Sequence, residues 1–322
     1  MGLAGPIATG EAAAATVRPF RFGVTARHAG SRDEWRTTVR RVADLGFDIL
    51  VLPDHLDGQL GAVPAIVAAA EADTELRVGS LVFAVSFRHP AVLAAEVATI
   101  DLLLDGRFEV GLGSGWLPGD YESSGIEFES PGVRVERLED VLSILLACRE
   151  DGPATYNGSH YRIDGLCTPR AVQRPGVPIL VAAGGKRMLA LAGARADIVS
   201  LMVAGRREGG LDWRDLTEDR VEQKVERLRA AAQSRPGEPE INVLLQGVEI
   251  TDRRRAAAAR LAADFEVEPG DLLSSPYLAL GTVGEVAGEL RRHRAELGIS
   301  YLTVKERDME AFAPVVAELR GE

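Results

Sequence analysis

The stretch LGFDILVLPDHL, residues 45–56, holds an almost unbroken apolar run that ends abruptly in a proline, Asp54 and His55. The apolar part, 47–53, has the length and composition of a β-strand that is buried on both faces, as strands are in a parallel sheet. An amphipathic helical pattern with a capping box at its start and a glycine at its end occupies 31–46, directly before this run. A helix followed at once by a buried strand predicts an α/β fold.

Strand-like and helix-like segments alternate along almost the whole chain. The predicted strands are 20–26, 47–53, 76–85, 107–113, 178–184, 197–202, 241–250 and 299–304. The helical patterns between them are 31–46, 62–73, 90–104, 133–148, 185–195, 217–234, 252–265 and 282–297. Eight strand–helix repeats in 322 residues predict a TIM (β/α)8 barrel rather than an open doubly wound sheet.

One segment interrupts this alternation. ATYNGSHYRIDGL, residues 154–166, places Asn157-Gly158 between two β-rich runs, which is a strong hairpin signal. We therefore expect a small β-hairpin insertion on the barrel. Residues 1–18 are small and weakly polar and predict a flexible tail, which leaves 19–322 as a single barrel domain.

Composition narrows the classes of partner. A formal net charge of −11 disfavours binding to nucleic acid or to an anionic membrane. No apolar stretch has the length of a membrane span, and the start lacks the basic segment of a secretion signal. Two cysteines, Cys148 and Cys167, give neither a disulfide framework nor a metal-binding spacing. We expect a cytoplasmic protein without a bound metal, whose partner is a small molecule.

Polar residues follow the second and third predicted strands. In a barrel, residues at the C-terminal ends of the strands form the active site, and Asp54 and His55 occupy that position. VSFRHP, 85–90, brings Arg88 to the same end from the third strand. A capping aspartate, an ordinary loop histidine and a polar turn before a helix would explain the same residues.

A glycine-rich segment, GLGSGWLPGD at 111–120, ends the fourth strand. Gly113, Ser114 and Gly115 would let the backbone approach a ligand closely, although a plain glycine-rich turn has the same composition. The segment is not a dinucleotide fingerprint, because Trp116 occupies the position of the third glycine, and its proline argues against an immediate helix.

The fifth strand ends in AAGGKRMLAL, residues 182–191. Gly184 and Gly185 open a helix that carries Lys186 and Arg187 in its first turn. Cations at this end oppose the helix dipole unless an anion is bound there by the free N–H groups. We predict a phosphate at this position.

In order and spacing, four segments resemble the luciferase-like superfamily of flavin and deazaflavin barrels. They are LGFDILVLPDHL, RHPAVLAAEVATIDLLLDGRFEVGLGSGW, GVRVERLEDVLSIL and PILVAAGGKRMLALAGARAD. Within the superfamily the chain is most similar to the actinobacterial branch that uses the deazaflavin coenzyme F420.

The resemblance implies a redox cofactor across the strand ends, which would be coenzyme F420 or, as the alternative, FMN. It implies a bulge near Leu81 and Val82, often with a non-proline cis peptide, against the back of the cofactor ring. It also implies that Gly184 and Gly185 receive the cofactor phosphate.

The resemblance further assigns catalysis to the pair after the second strand. A deazaflavin carries a hydride, so the protein must manage a proton, and His55 is the candidate donor. Asp54 would either fix the tautomer of His55 or cap the loop. Related sugar-phosphate dehydrogenases have a glutamate where Trp116 stands, which argues against a sugar phosphate. We expect Trp116, Arg88 and Tyr277 near the substrate, with ordinary packing as the alternative for Trp116 and a lead into the next helix for the Tyr277 segment.

Three rival functions remain at this point. The first is an FMN-dependent monooxygenase on the same barrel. The second is a lyase or isomerase that uses the phosphate site for its substrate, and the third is a homologue that binds cofactor without catalysis. The resemblance also makes a homodimer possible.

Overall fold

The computed structural model describes residues 18–72, 75–206 and 210–322. Its strands are β1 (Arg21–Thr25), β2 (Ile49–Leu52), β3 (Arg77–Ser80), β4 (Phe83–Ala84), β5 (Phe108–Gly113), β6 (Ala154–Asn157), β7 (Arg162–Leu166), β8 (Ile179–Ala183), β9 (Ile198–Leu201), β10 (Glu240–Leu244), β11 (Gly247–Ile250), β12 (Leu278–Gly281) and β13 (Ile299–Lys305). Its α-helices are α1 (Arg32–Asp44), α2 (Ala62–Ala70), α3 (Pro90–Leu103), α4 (Pro118–Ser124), α5 (Pro131–Ala147), α6 (Lys186–Arg195), α7 (Glu218–Ala232), α8 (Arg254–Phe265), α9 (Pro269–Leu273), α10 (Val283–Leu297) and α11 (Met309–Leu319). The predicted tail, apart from Arg18, lies outside the described residues.

Eight parallel strands close into a barrel, which confirms the predicted fold class. Their order around the barrel is β1, β2, β3, β5, β8, β9, β10 and β13, and β13 pairs in turn with β1. The short strand β4 continues from β3 and also pairs with β5. Every residue of β2, β5 and β9 is buried, as expected for strands that have side chains in the barrel and helices on their outer face.

Apolar side chains fill the barrel interior. Ile49, Val51, Leu180, Ile198 and Tyr301 belong to one apolar cluster inside the barrel, separate from the large cluster between the strands and the helices. Packed side chains of this kind make the barrel a core rather than a pore.

Charged side chains close the N-terminal end of the barrel. Arg21 Nη1 lies 2.6 Å from Glu240 Oε2, and Arg77 Nε lies 2.8 Å from Glu109 Oε1. Arg21 also pairs with Glu109, and its guanidinium lies 4.6 Å from the centre of the Tyr301 ring. Because this end is blocked by ion pairs among side chains of four strands, a ligand has to enter from the C-terminal end.

The predicted hairpin insertion is present. Strands β6 and β7 pair antiparallel, and the turn between them is attached to α5 through Asp140. The Asp140 carboxylate accepts hydrogen bonds from the Tyr156 hydroxyl at 2.7 Å and from the backbone N–H groups of His160 and Tyr161. Burial raises the pKa of Asp140, but these hydrogen bonds outweigh it and leave the pKa below its usual value.

Three local predictions need correction. The segment predicted as one strand at 241–250 forms β10 and β11, because the N–H of Leu245 bonds to Thr303 in the barrel whereas that of Gln246 bonds to Tyr277 outside it. Strand β11 then pairs with β12 in a separate two-stranded sheet. Likewise the predicted strand at 76–85 is divided into β3 and β4. Pro118 was expected to argue against a helix at this point, but the helix α4 begins there. The first turn of a helix tolerates proline.

Across the described residues, each helix is too short or too polar to cross a membrane.

A candidate active site at the C-terminal end of the barrel

Residues that follow the C-terminal ends of the parallel strands lie at one end of the barrel, which we call the barrel mouth. On one side, Asp54 is buried and accepts hydrogen bonds from Arg88 Nη1 and Nη2 at 2.5 and 3.1 Å. It also accepts the backbone N–H of Ala84 at 3.2 Å. Asp54 therefore joins the end of β2 to the end of β4. The Arg88 guanidinium is therefore held by the Asp54 carboxylate. Its contact with a substrate stays a prediction.

The imidazole of His55 is held by a different carboxylate. His55 Nδ1 lies 2.7 Å from Asp120 Oδ2, and Asp120 Oδ1 accepts the backbone N–H of Leu56 at 2.9 Å. Asp120 is 4% exposed. An ionised carboxylate only accepts hydrogen bonds, so Nδ1 carries the hydrogen and Nε2 is the atom left to exchange a proton. Asp120, rather than Asp54, fixes the tautomer.

Asp120 was not among the predicted site residues. It lies in the first turn of α4, where an acidic side chain is favoured by the helix dipole. Recognition of Pro118 as a helix start would have pointed to this aspartate, which lies in the same turn.

Trp116 stands beside the histidine. Its ring centre lies 6.0 Å from that of His55, at 84° between the ring planes. The side chain is 54% exposed, which makes it available to a ligand and does not fit an ordinary packing role.

Two of the predicted glycines are required by the packing of the chain itself. A Cβ on Gly113 would lie 2.5 Å from Val82 Cγ2. Gly115 has φ +76°, and a Cβ there would lie 1.8 Å from the Tyr121 hydroxyl oxygen. Ser114, between them, is half-buried. Contact of these three residues with a cofactor stays a prediction.

The bulge implied for the third strand is also present. The Leu81–Val82 peptide bond is cis, at the place that the resemblance indicated. Leu81 is buried inside the barrel, whereas Val82 is partly exposed and packs against Gly113. Contact of Leu81 and Val82 with a cofactor ring stays a prediction.

The start of α6 has the features of a phosphate site. A Cβ on Gly184 would lie 2.9 Å from the Met202 carbonyl oxygen, whereas Gly185, the N-cap, has open space around its Cβ position and no side-chain cap. Lys186 is exposed and has no ion-pair partner among the described residues. Arg187 is different, because its Nη1 lies 3.3 Å from Glu136 Oε1 on α5. The free N–H groups and Lys186 fit a phosphate, and Arg187 shares its charge with α5.

Tyr277 finds no support as a substrate contact. It is 1% exposed, and its hydroxyl lies 3.3 Å from Lys224 Nζ. Lys224 in turn lies 2.7 Å from Asp215 Oδ2 and donates to the Met202 carbonyl. Burial raises the pKa of Tyr277.

The described residues contain no group of three or more His, Cys, Asp or Glu side chains that could hold a metal ion.

Comparisons with known proteins agree with this architecture. A family model described as luciferase-like monooxygenase matches residues 14–318. An F420-dependent glucose-6-phosphate dehydrogenase from Intrasporangium calvum is 24% identical, over 92% of this chain and 97% of that protein. The alignments with the first curated relatives are shorter, and the chain spans about half the length of those proteins, 44–55%.

Solved structures share the fold at low identity. The coenzyme F420-dependent tetrahydromethanopterin reductase from Methanopyrus kandleri superposes with a TM-score of 0.73 at 15% identity, over 94% of this chain and 100% of that chain. The oxygenating constituent of 3,6-diketocamphane monooxygenase from Pseudomonas putida, in complex with FMN, superposes with a TM-score of 0.67 at 15% identity, over 94% and 96%.

Proposed function

The chain belongs to the luciferase-like monooxygenase family, and we propose that it is an oxidoreductase that transfers a hydride between coenzyme F420 and a small organic substrate. The observation that carries the proposal is the His55–Asp120 pair at the same end of the barrel as the phosphate-compatible start of α6. One feature can exchange a proton, and the other can anchor a cofactor.

Coenzyme F420, when bound, supplies a two-electron hydride carrier. The N–H groups at the start of α6, together with Lys186, would hold its phosphate. Val82 and Trp116 would line the space for its ring and for the substrate, since both are partly exposed at the barrel mouth.

His55 would manage the proton that accompanies hydride transfer. With Nδ1–H donated to Asp120, Nε2 accepts a proton from the substrate in the oxidative direction and returns it in the reductive direction. Asp120 keeps the ring in one orientation, and the backbone N–H of Leu56 fixes the carboxylate in turn.

The choice of F420 is supported by a relative that aligns over nearly the whole chain and whose name includes this cofactor. Its substrate is less transferable to this chain. Trp116 stands where the resemblance gives related sugar-phosphate dehydrogenases a glutamate, so we propose a substrate other than a sugar phosphate.

An FMN-dependent monooxygenase is the second candidate. It is supported by the family description and by the similar barrel that binds FMN. The phosphate-compatible start of α6 serves either cofactor, so it does not separate the two.

A direct comparison of the two cofactors tests the proposal. Purified protein is mixed with F420 or FMN, and the absorbance spectrum and the melting temperature are recorded. F420 is expected to shift both quantities at lower concentration than FMN. Tighter binding of FMN, with oxygen consumption by the reduced complex, would favour the monooxygenase. Stabilisation by a phosphorylated metabolite and by neither cofactor would indicate the lyase or isomerase.

A further inference from the structure

Lysine is scarce in this chain, and its positions are informative. Only three of the 37 basic residues are lysines, and all three lie near the barrel mouth. Lys186 begins α6, Lys224 donates to the carbonyl of Met202 just after β9, and Lys305 ends β13. An ammonium is a compact point charge, unlike the planar guanidinium that carries the charge elsewhere.

Two of the three lysines have an explanation. Lys186 lies at the start of α6, where the proposed function places a phosphate. Lys224 is buried and paired with Asp215 at 2.7 Å. Lys305 has neither of these roles.

Strand geometry directs Lys305 into the barrel mouth. Side chains alternate along β13, and Tyr301 belongs to the apolar cluster inside the barrel. Thr303, two residues later, also faces inward, because its hydroxyl oxygen accepts a hydrogen bond from Asn242 Nδ2 at 2.9 Å. Lys305 continues this inward row and lies level with Thr25 at the end of β1.

The hydrogen-bond acceptors of the Lys305 ammonium are both neutral oxygens of Gln246. Nζ lies 3.4 Å from the backbone oxygen of Gln246 and 3.4 Å from its Oε1. Among the described residues no ion pair joins Lys305 to a carboxylate, and the nearby Asp308 carboxylate lies 3.8 Å from Arg307 Nε. Burial, together with the charge of Arg307, lowers the pKa of Lys305, and the nearby Asp308 carboxylate offsets this only in part. A half-buried ammonium with neutral partners is a position that an external anion would stabilise.

The position of Lys305 separates it from the start of α6. Around the barrel, β13 is two strands from β2, which leads to His55, and three strands from β8, which leads to α6. A molecule between Lys305 and His55 would therefore occupy a different part of the barrel mouth from a phosphate at Gly185.

We propose that Lys305, supported by Gln246, binds an anionic group of the substrate, so that the substrate is an organic carboxylate or phosphate ester held between β13 and His55. The inference rests on the proposed function in taking the barrel mouth as the place where the substrate binds. It adds the charge of the substrate and the residue that recognises it.

The small number of lysines makes a direct test possible. Protein labelled with 13C-lysine gives three side-chain Cε signals, assigned with the variants Lys305→Met and Lys186→Met. Acetate, benzoate and inorganic phosphate serve as anionic probes, and benzamide is the neutral match for benzoate. We expect a carboxylate or phosphate to shift the Lys305 signal, and benzamide to leave it in place. The probe that acts at the lower concentration distinguishes a carboxylate substrate from a phosphate ester.

Affinities of the variants complete the test. Lys305→Met is expected to weaken binding of the effective anion on the order of tenfold or more, while binding of F420 changes little. Lys186→Met is the matched control. It should weaken binding of F420 and change the affinity for the anion little. If none of the anions shifts the Lys305 signal in the labelled wild type, the inference is wrong, whether or not Lys305→Met folds. Equal anion affinity in a folded Lys305→Met would overturn it as well.

The same measurements distinguish failure of the anion site from failure of the proposed function. An anion that moves the Lys305 signal in a protein that binds no F420 would keep the anion site and remove the deazaflavin assignment. Binding of F420 without any response of the Lys305 signal to the anions would keep the deazaflavin assignment and remove the anion site.

Discussion

Asp120 Oδ2 lies 2.7 Å from His55 Nδ1, although the two residues are 65 positions apart in the chain. The contact exists because α4 follows β5 after a short connection and has Asp120 in its first turn, beside the residues that follow β2. The same carboxylate accepts the N–H of Leu56, so the loop that carries the histidine and the ring itself are fixed by one side chain. A carboxylate–imidazole pair of this kind selects which ring nitrogen is available to a substrate.

We expect His55 to be the Nδ1–H tautomer when the ring is neutral. Removal of the acceptor in Asp120→Ala should release the ring, and the Nε2–H form should then increase. The chain has five histidines, so 15N spectra of the imidazoles can be assigned with His55→Asn. Asp164→Ala, at an exposed position on the hairpin, is the control and should leave the His55 signals unchanged. An Nε2–H tautomer in the wild type would contradict the arrangement.

The second prediction concerns turnover. His55→Asn removes the group that exchanges the proton but keeps a polar side chain of similar size. We expect kcat to fall by roughly 10²–10⁴-fold, with little change in the dissociation constant for F420. Asp120→Asn leaves a side chain whose amide can donate to Nδ1 and select the wrong tautomer, so it should also lower kcat, by up to roughly 10⁴-fold. Unchanged turnover in His55→Asn would remove the histidine from the mechanism.

The fold was predictable because its signal lies in single segments. The run Ile49–Leu52 has no polar residue and is buried throughout, as expected for a strand that is covered on both faces. The adjacent residues Asn157 and Gly158 likewise predict the hairpin without any information from distant segments. The resemblance added the place of the cis bond between Leu81 and Val82.

The site was less predictable, because its contacts join distant segments. The partner of His55 depends on the direction in which α4 leaves β5, and no local pattern states that direction. The division of 241–250 depends on Gln246 bonding to Tyr277, about 30 residues further on. The role of Lys305 depends on which face of β13 turns inward. In each case the deciding neighbour is set by the closed barrel rather than by the segment.

The Asp54–Arg88 pair is expected to stabilise the fold. Arg88→Met leaves the buried Asp54 carboxylate without its cation, and we expect the free energy of unfolding to fall by about 3 kcal/mol. Arg170→Met removes an exposed pair with Asp151 and should cost less than about 1 kcal/mol. Chemical denaturation measures both values. Adding Asp54→Asn to Arg88→Met should recover part of the loss, and equal losses in Arg88→Met and Arg170→Met would contradict the assignment.

Gly115 and Gly119 should respond to alanine in opposite directions. Gly115→Ala introduces a Cβ at φ +76° and 1.8 Å from the Tyr121 hydroxyl, which is itself bonded to Ser86. We expect a loss of at least about 2 kcal/mol in the free energy of unfolding. Gly119 lies within α4, and its Cβ position is open, so Gly119→Ala should be neutral or add roughly 0.5–1 kcal/mol. Similar effects of the two variants would show that the close approach to Tyr121 is relaxed in solution.

The attachment of the hairpin to α5 gives a dependence of stability on pH. Hydrogen bonds to Asp140 hold its pKa below the usual value, so its ionised form favours the folded state. This contribution is fully present above the pKa of the unfolded chain, near 4, and is lost as the pH falls through the lower pKa of the folded state. Asp140→Asn, which removes a charged acceptor from the N–H groups of His160 and Tyr161, should cost about 1–3 kcal/mol at neutral pH. The difference in the free energy of unfolding between wild type and variant should shrink at acid pH, whereas Asp164→Asn should show no such trend. A difference that stays constant from neutral to acid pH would mean that ionised Asp140 does not hold the hairpin.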